Sequence, residues 1–149
     1  SNRIFIPCRW LRRFNCFGCC CFSNTKKIIE IRTIYYAKKY KHKINVTTVD
    51  DVRKNGVFKF IESLPAFDGP TYISFDIDCL DPSCAPGTGT PVVGGLTTYE
   101  TQQILRALKV KNLVGCDIVE VSPPFDPSEI TCLAAVDTMF EMLCLMSDS

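Results

Sequence analysis

Apolar and polar positions along this chain fall into strand-period and helix-period blocks, and the block richest in chemistry is TYISFDIDCLD at residues 71–81. Tyr72, Ile73 and Phe75 favour strands, and Pro70 and Pro82 bracket the run, which predicts a buried strand over 71–79. Alternation puts Ser74, Asp76 and Asp78 on one face and Ile73, Phe75 and Ile77 on the other. A second nearly apolar strand, LVGCDIVEV, is expected over 113–121. Its Asp117 and Glu120 are three positions apart and point to opposite faces, so only one of them can join Asp76 and Asp78. Shorter strands are expected over 26–31 and 44–49.

Between these blocks the apolar spacing turns helical. Residues 33–43 read as a helix with a basic outer face, and Asp50 or Asp51 opens another that runs to about residue 64. Thr97 and Glu100 form a capping box for a helix to about residue 109, with Ile104, Leu105 and Leu108 inward. Asp126 caps a last helix, with Pro127 at its first position, Glu129 at its third, and Ile130, Leu133, Ala134, Met139, Phe140 and Leu143 as the buried stripe. Helices alternating with apolar strands predict an α/β fold around a mainly parallel sheet. Such sheets bind ligands at the carboxyl ends of their strands, where Asp78 and Glu120 both fall. The connection over 81–95, DPSCAPGTGTPVVGG, is long for a compact domain, which marks it as functional. It lacks the G-K-[ST] of a phosphate loop.

Composition narrows the picture. A length of 149 residues suits one domain, and 46% hydrophobic with 22% charged residues is ordinary for a globular chain. The net charge of +1 gives no argument for nucleic acid. Residues 1–56 hold thirteen Lys/Arg and three acids, whereas 57–149 hold four and thirteen. The basic part reads as a solvated face. No apolar run is seen to reach membrane-spanning length. Of ten cysteines, five crowd into positions 8–21 and five are scattered through apolar segments, the latter read as reduced, buried thiols of an intracellular protein, cytoplasmic or mitochondrial. Residues 1–25 are Arg-rich and acid-free, like an organellar presequence, and read as a poorly ordered or foreign leader ahead of a domain over 26–149. The C-x-x-C of Cys16 and Cys19 has no second pair at zinc spacing. His42, the single histidine, reads as a surface residue.

Four readings of the D-x-D pair compete. Both aspartates can cap a turn in water at a strand end. A calcium loop fails, because its sixth and twelfth positions here are Asp81 and Gly87 rather than Gly and Glu. A phosphatase-like strand end would use Asp76 as nucleophile and Asp78 for the proton, but no Lys or Arg lies between residues 60 and 105 to hold a phosphoryl group. A binuclear metal hydrolase is also served, since Asp76 and Asp78 start about 6.6 Å apart along a strand edge and can straddle a pair of hard cations such as Mn²⁺ or Mg²⁺. Glu120 would then hold a cationic substrate, since a guanidinium matches a carboxylate in bidentate fashion.

The run SFDIDCLDPSCAPGTGTPVVGGLTTYE followed by GCDIVEVSPPFDPSEITCLAA resembles the ureohydrolase (arginase/agmatinase) family, and DIVEVSPPFD resembles its agmatinase branch. The resemblance covers roughly residues 28–149 and is strongest after Pro70. It implies a three-layer α/β fold, here incomplete, and hydrolysis of a guanidino group, as in agmatine to putrescine plus urea, at a Mn²⁺ pair. By motif position Asp76 and Asp78 would bind metal and Glu120 the guanidinium. A guanidino acid is the alternative substrate, and a non-catalytic remnant the alternative role. The family's G-G-D-H and D-A-H-x-D motifs, which supply the remaining ligands, do not occur, nor does a general acid/base histidine. The chain thus reads as the C-terminal half of an enzyme that would be a homo-oligomer when intact. Loss of half the sheet predicts an exposed apolar edge and self-association.

Overall fold

The computed structural model describes the backbone of residues 2–6 and residues 49–149. The strand over 26–31, the helix over 33–43, most of the strand over 44–49, the Cys16–Cys19 pair and His42 lie outside the described residues. Among the described residues three strands form the main sheet in the order β1 (Asn2–Ile6), β3 (Thr71–Asp76), β5 (Leu113–Val119), all parallel. A second, two-stranded parallel ladder joins β2 (Ala66–Phe67) to β4 (Lys109–Val110). Helices α1 (Val49–Asn55), α2 (Val57–Glu62), α3 (Thr98–Ala107) and α4 (Ile130–Ser147) supply the other layer.

The core follows the alternation of β3. Ile73 and Phe75 are fully buried and share one cluster with Leu105 of α3 and Ala134, Ala135 and Met142 of α4. Cys116 and Ile118 of β5 pack against it. The other face carries Tyr72 and Ser74 of β3 beside Asp117 of β5. Tyr72 lies over Gly115, where a Cβ would sit 2.7 Å from its ring and push it aside.

Several expectations are corrected. Residues 1–25 were expected to lack regular structure, yet Asn2–Ile6 form a strand along β3. The reason is physical: Ile-Phe-Ile is strand-prone, and an unpaired edge of β3 offers it a ladder. The helix expected from Asp50 to residue 64 is broken in two by Gly56, whose φ of 82° is left-handed. The strand expected over 71–79 ends at Asp76, and Ile77–Cys79 turn as a 3-10 helix. The expected buried stripe of α4 holds only at Ala134 and at Met139, which packs half-buried against the core. Thr131, Ala134, Ala135, Thr138 and Met142 are buried, whereas Ile130, Leu133, Phe140 and Leu143 are exposed. With apolar residues almost all round, the spacing alone could not choose the face. Small residues at 131, 134, 135 and 138 let the helix approach the sheet, and Asp137 and Glu141 bond Gln102 and Arg106 of α3. This helix overturns one further reading: with 18 residues and a mean hydropathy of 1.6, α4 is long and apolar enough to cross a membrane by length and composition. Of the described cysteines only Cys79 is buried, and Cys144 is exposed.

Other expectations hold. Thr97 and Glu100 form the capping box, and Ile104, Leu105 and Leu108 face inward. Among the described residues β5 has no neighbour on its outer side, and Val114 and Val119 are exposed there.

Candidate functional site

At the carboxyl end of β3 the chain turns tightly. Asp76 caps the 3-10 turn, its Oδ1 accepting the backbone N–H of Asp78 at 3.3 Å. The alternation predicted two carboxylates along one strand face; instead the Asp76 carboxylate is linked to the backbone of Asp78 through a turn. Asp76 is 6% exposed and Asp78 0%. Thr90 Oγ1 donates to Asp78 Oδ2 in a short hydrogen bond. Asp78 Oδ1 is buried and has no hydrogen-bond partner. A buried carboxylate oxygen left without a donor costs more than the 1–3 kcal/mol typical of a neutral orphan, on the order of several kcal/mol. A cation at that atom removes the cost, so the donor set fits part of a hard divalent-metal site. Among the described residues, however, no group of three or more His, Cys, Asp or Glu converges on one point.

The second acid lies on the neighbouring strand. Asp76 is in register with Val119, the last residue of β5, and Glu120 follows it directly. Glu120 is exposed and has a φ of 67°. Asp117 does not join the group: two positions before Val119, it accepts bonds from Tyr72 Oη at 2.7 Å and Ser74 Oγ at 2.6 Å.

The long loop ties these elements together. Near its start, Asp81 accepts the hydroxyl and the N–H of Ser83 and the N–H of Gly94, which with the charge of Arg53 hold its carboxyl below the usual range despite some burial. Arg53 of α1 donates to the carbonyls of Gly94 and Gly95 and pairs with Glu100. Gly95 crosses so close to Cys79 that a Cβ would lie 2.5 Å from its carbonyl oxygen. Mid-loop, Gly87 N–H donates to Thr131 Oγ1 at 2.7 Å, and Gly87 O accepts from Ser122 N–H at 2.8 Å. A Cβ at Gly87 would meet Asp126 Cβ at 2.3 Å. Asp126 in turn accepts the N–H groups of Thr131 and Cys132, the orphan donors of the first turn of α4. Its side chain serves the helix start as expected, but the N-cap position is Glu129 rather than Asp126, and α4 begins at Ile130, three residues later than expected.

Thr88 and Thr90 are the residues that sequence reasoning missed. Thr88 Oγ1 donates to the carbonyl of Glu120 at 2.9 Å, and Thr90 Oγ1 reaches Asp78. The available signal was hydroxyls at alternate positions of a Thr-Gly-Thr inside an unusually long loop. Two residues span at most about 7 Å, so this segment links the Asp78 carboxylate to the backbone of Glu120.

Comparison with known proteins follows the same residues. A model described as the arginase family matches residues 15–144. Guanidinopropionase of Pseudomonas aeruginosa is 57% identical over 81 residues, 54% of this chain and 26% of its own. An agmatinase of Chromobacterium violaceum is 52% identical over 105 residues, 69% of this chain and 33% of its own. A crystal structure described as a hypothetical agmatinase from Burkholderia thailandensis superposes with a TM-score of 0.63 at 38% identity, covering 76% of this chain and 42% of that one. The chain thus spans between a quarter and a third of the length of these two curated relatives.

Proposed function

This chain belongs to the arginase family, and on that premise we propose that its strand-end acids serve the manganese-dependent hydrolysis of a guanidino group, with agmatine as substrate and putrescine and urea as products. The observation that carries this reading is the buried, unpartnered Oδ1 of Asp78 beside Asp76, one strand from an exposed carboxylate at Glu120. Asp76 and Asp78 would hold Mn²⁺ through hard oxygen donors. The chemistry that such ions supply when bound is Lewis acidity, which lets water attack a trigonal carbon near neutral pH. Thr90 keeps Asp78 oriented through one oxygen and leaves the other for the ion. Glu120 accepts two parallel N–H bonds from the planar guanidinium. None of the described residues is a histidine that could protonate the leaving amine. The described chain therefore supplies one part of the site, and on its own holds metal weakly.

A guanidino acid is the second reading, favoured by the likeness to a guanidinopropionase. The two differ only in the group at the far end of the substrate, and both place the guanidinium on Glu120. Family membership displaces the phosphatase-like reading of the D-x-D pair. Calorimetric titration with agmatine in the presence of Mn²⁺ tests the proposal. Glu120→Gln should weaken binding about 10–100-fold, the worth of one charge-assisted bidentate contact of about 1.5–3 kcal/mol. Equal binding by wild type and Glu120→Gln removes Glu120 from the site.

A further inference from the structure

Followed along its pleat, β5 would place Glu120 on the same face as Cys116 and Ile118, which pack against the core. Glu120 is exposed instead. The break comes from its backbone: a φ of 67° is left-handed, a region that residues with a Cβ rarely adopt. That conformation persists only where the surroundings over-determine it. Two contacts do so here. Thr88 Oγ1 donates to the Glu120 carbonyl at 2.9 Å, and an antiparallel bridge of Thr88 with Val121 includes the Ser122 N–H to Gly87 O bond at 2.8 Å. Of these, only the first uses a side chain, and Thr88 is 3% exposed.

We propose that Thr88 is a positioning residue, whose buried hydroxyl locks Glu120 in the left-handed conformation and so turns its carboxylate away from the core face toward the guanidinium at the strand ends. The proposal rests on the reading of Glu120 as the guanidinium-binding acid, but the backbone lock can be measured without it. The same Thr-Gly-Thr segment holds Asp78 through Thr90, so its length fixes how far the guanidinium contact stands from the metal-binding acids.

Thr88→Val keeps the shape and removes the hydroxyl, whereas Thr88→Ser keeps the hydroxyl. The backbone φ of Glu120, read by NMR from three-bond couplings and carbon chemical shifts, should leave the left-handed region in Thr88→Val and return in Thr88→Ser. Agmatine binding in the presence of Mn²⁺ should fall about tenfold in Thr88→Val and recover in Thr88→Ser. Should Thr88→Val fail to fold, Thr88→Ala carries the same two expectations. An unchanged Glu120 φ in the hydroxyl-free variant overturns the proposal. So does unchanged agmatine binding in a protein whose binding falls with Glu120→Gln. If wild type and Glu120→Gln bind agmatine equally, the role assigned to Glu120 fails, and the φ measurement alone decides whether Thr88 holds the backbone.

Discussion

Asp78 is stabilised on one oxygen and orphaned on the other, and this asymmetry has an energetic signature. Without metal, Asp78→Asn removes a buried charge while its amide oxygen can still accept from Thr90. The variant should therefore be more stable than wild type by about 1 kcal/mol or more in urea denaturation with a chelator present. A loss of stability would show that the orphaned oxygen is already satisfied. Asp126 is the opposite case. Burial alone would raise its pKa, but the N–H groups of Cys132 and Thr131 outweigh this and hold it below the ordinary value. Its stabilising contribution is then complete above the unfolded-state pKa of about 3.9 and is lost as pH falls through the lower folded value. Asp126→Asn, which leaves one oxygen for two N–H groups, should lower stability at neutral pH and flatten the acid limb of the stability profile. An acid limb identical to that of wild type would exclude it. Legibility at this scale depends on sequence distance. The cap of Asp126 acts five and six residues away and could be read directly. The partners of Thr90 and Thr88 lie 12 and 32 residues away, and no local pattern announces them.

The elements show the same division between local and tertiary causes. The capping box of α3 is closed within four residues and appeared where expected. Gly56 broke the α1–α2 run through a local glycine effect that apolar spacing masked. Spacing could not orient α4, because apolar residues surround it. Its outward stripe of Leu133, Val136, Phe140 and Leu143 is between 53% and 71% exposed, a surface that water disfavours. Paired Leu133→Glu and Phe140→Glu substitutions should reduce self-association in analytical ultracentrifugation and change folding stability by about 0.5 kcal/mol or less, as exposed positions do. Undiminished association would place the adhesive surface elsewhere, such as the edge of β5 that has no partner among the described residues.

For the molecule as a whole, alternating strands and helices predicted a parallel α/β sheet, and the sheet is parallel throughout the described residues. The long motifs pointed to the family that the comparison bears out. The participation of Asn2–Ile6 in the sheet was not legible, because pairing is settled by a strand edge remote in sequence. The solved relative has more than twice the chain of the matched region, with this chain covering 42% of it. The described site correspondingly shows two buried acids and one exposed acid rather than a full metal shell. The claim on which the account turns is that the turn after β3 grips a divalent ion. It is tested most directly by titrating the chain with Mn²⁺ and following loss of the free-ion signal by electron paramagnetic resonance. The account predicts weak, saturable binding by wild type and binding reduced about tenfold or more in Asp78→Asn, as expected for loss of a ligand. Equal Mn²⁺ binding by the two proteins would contradict it.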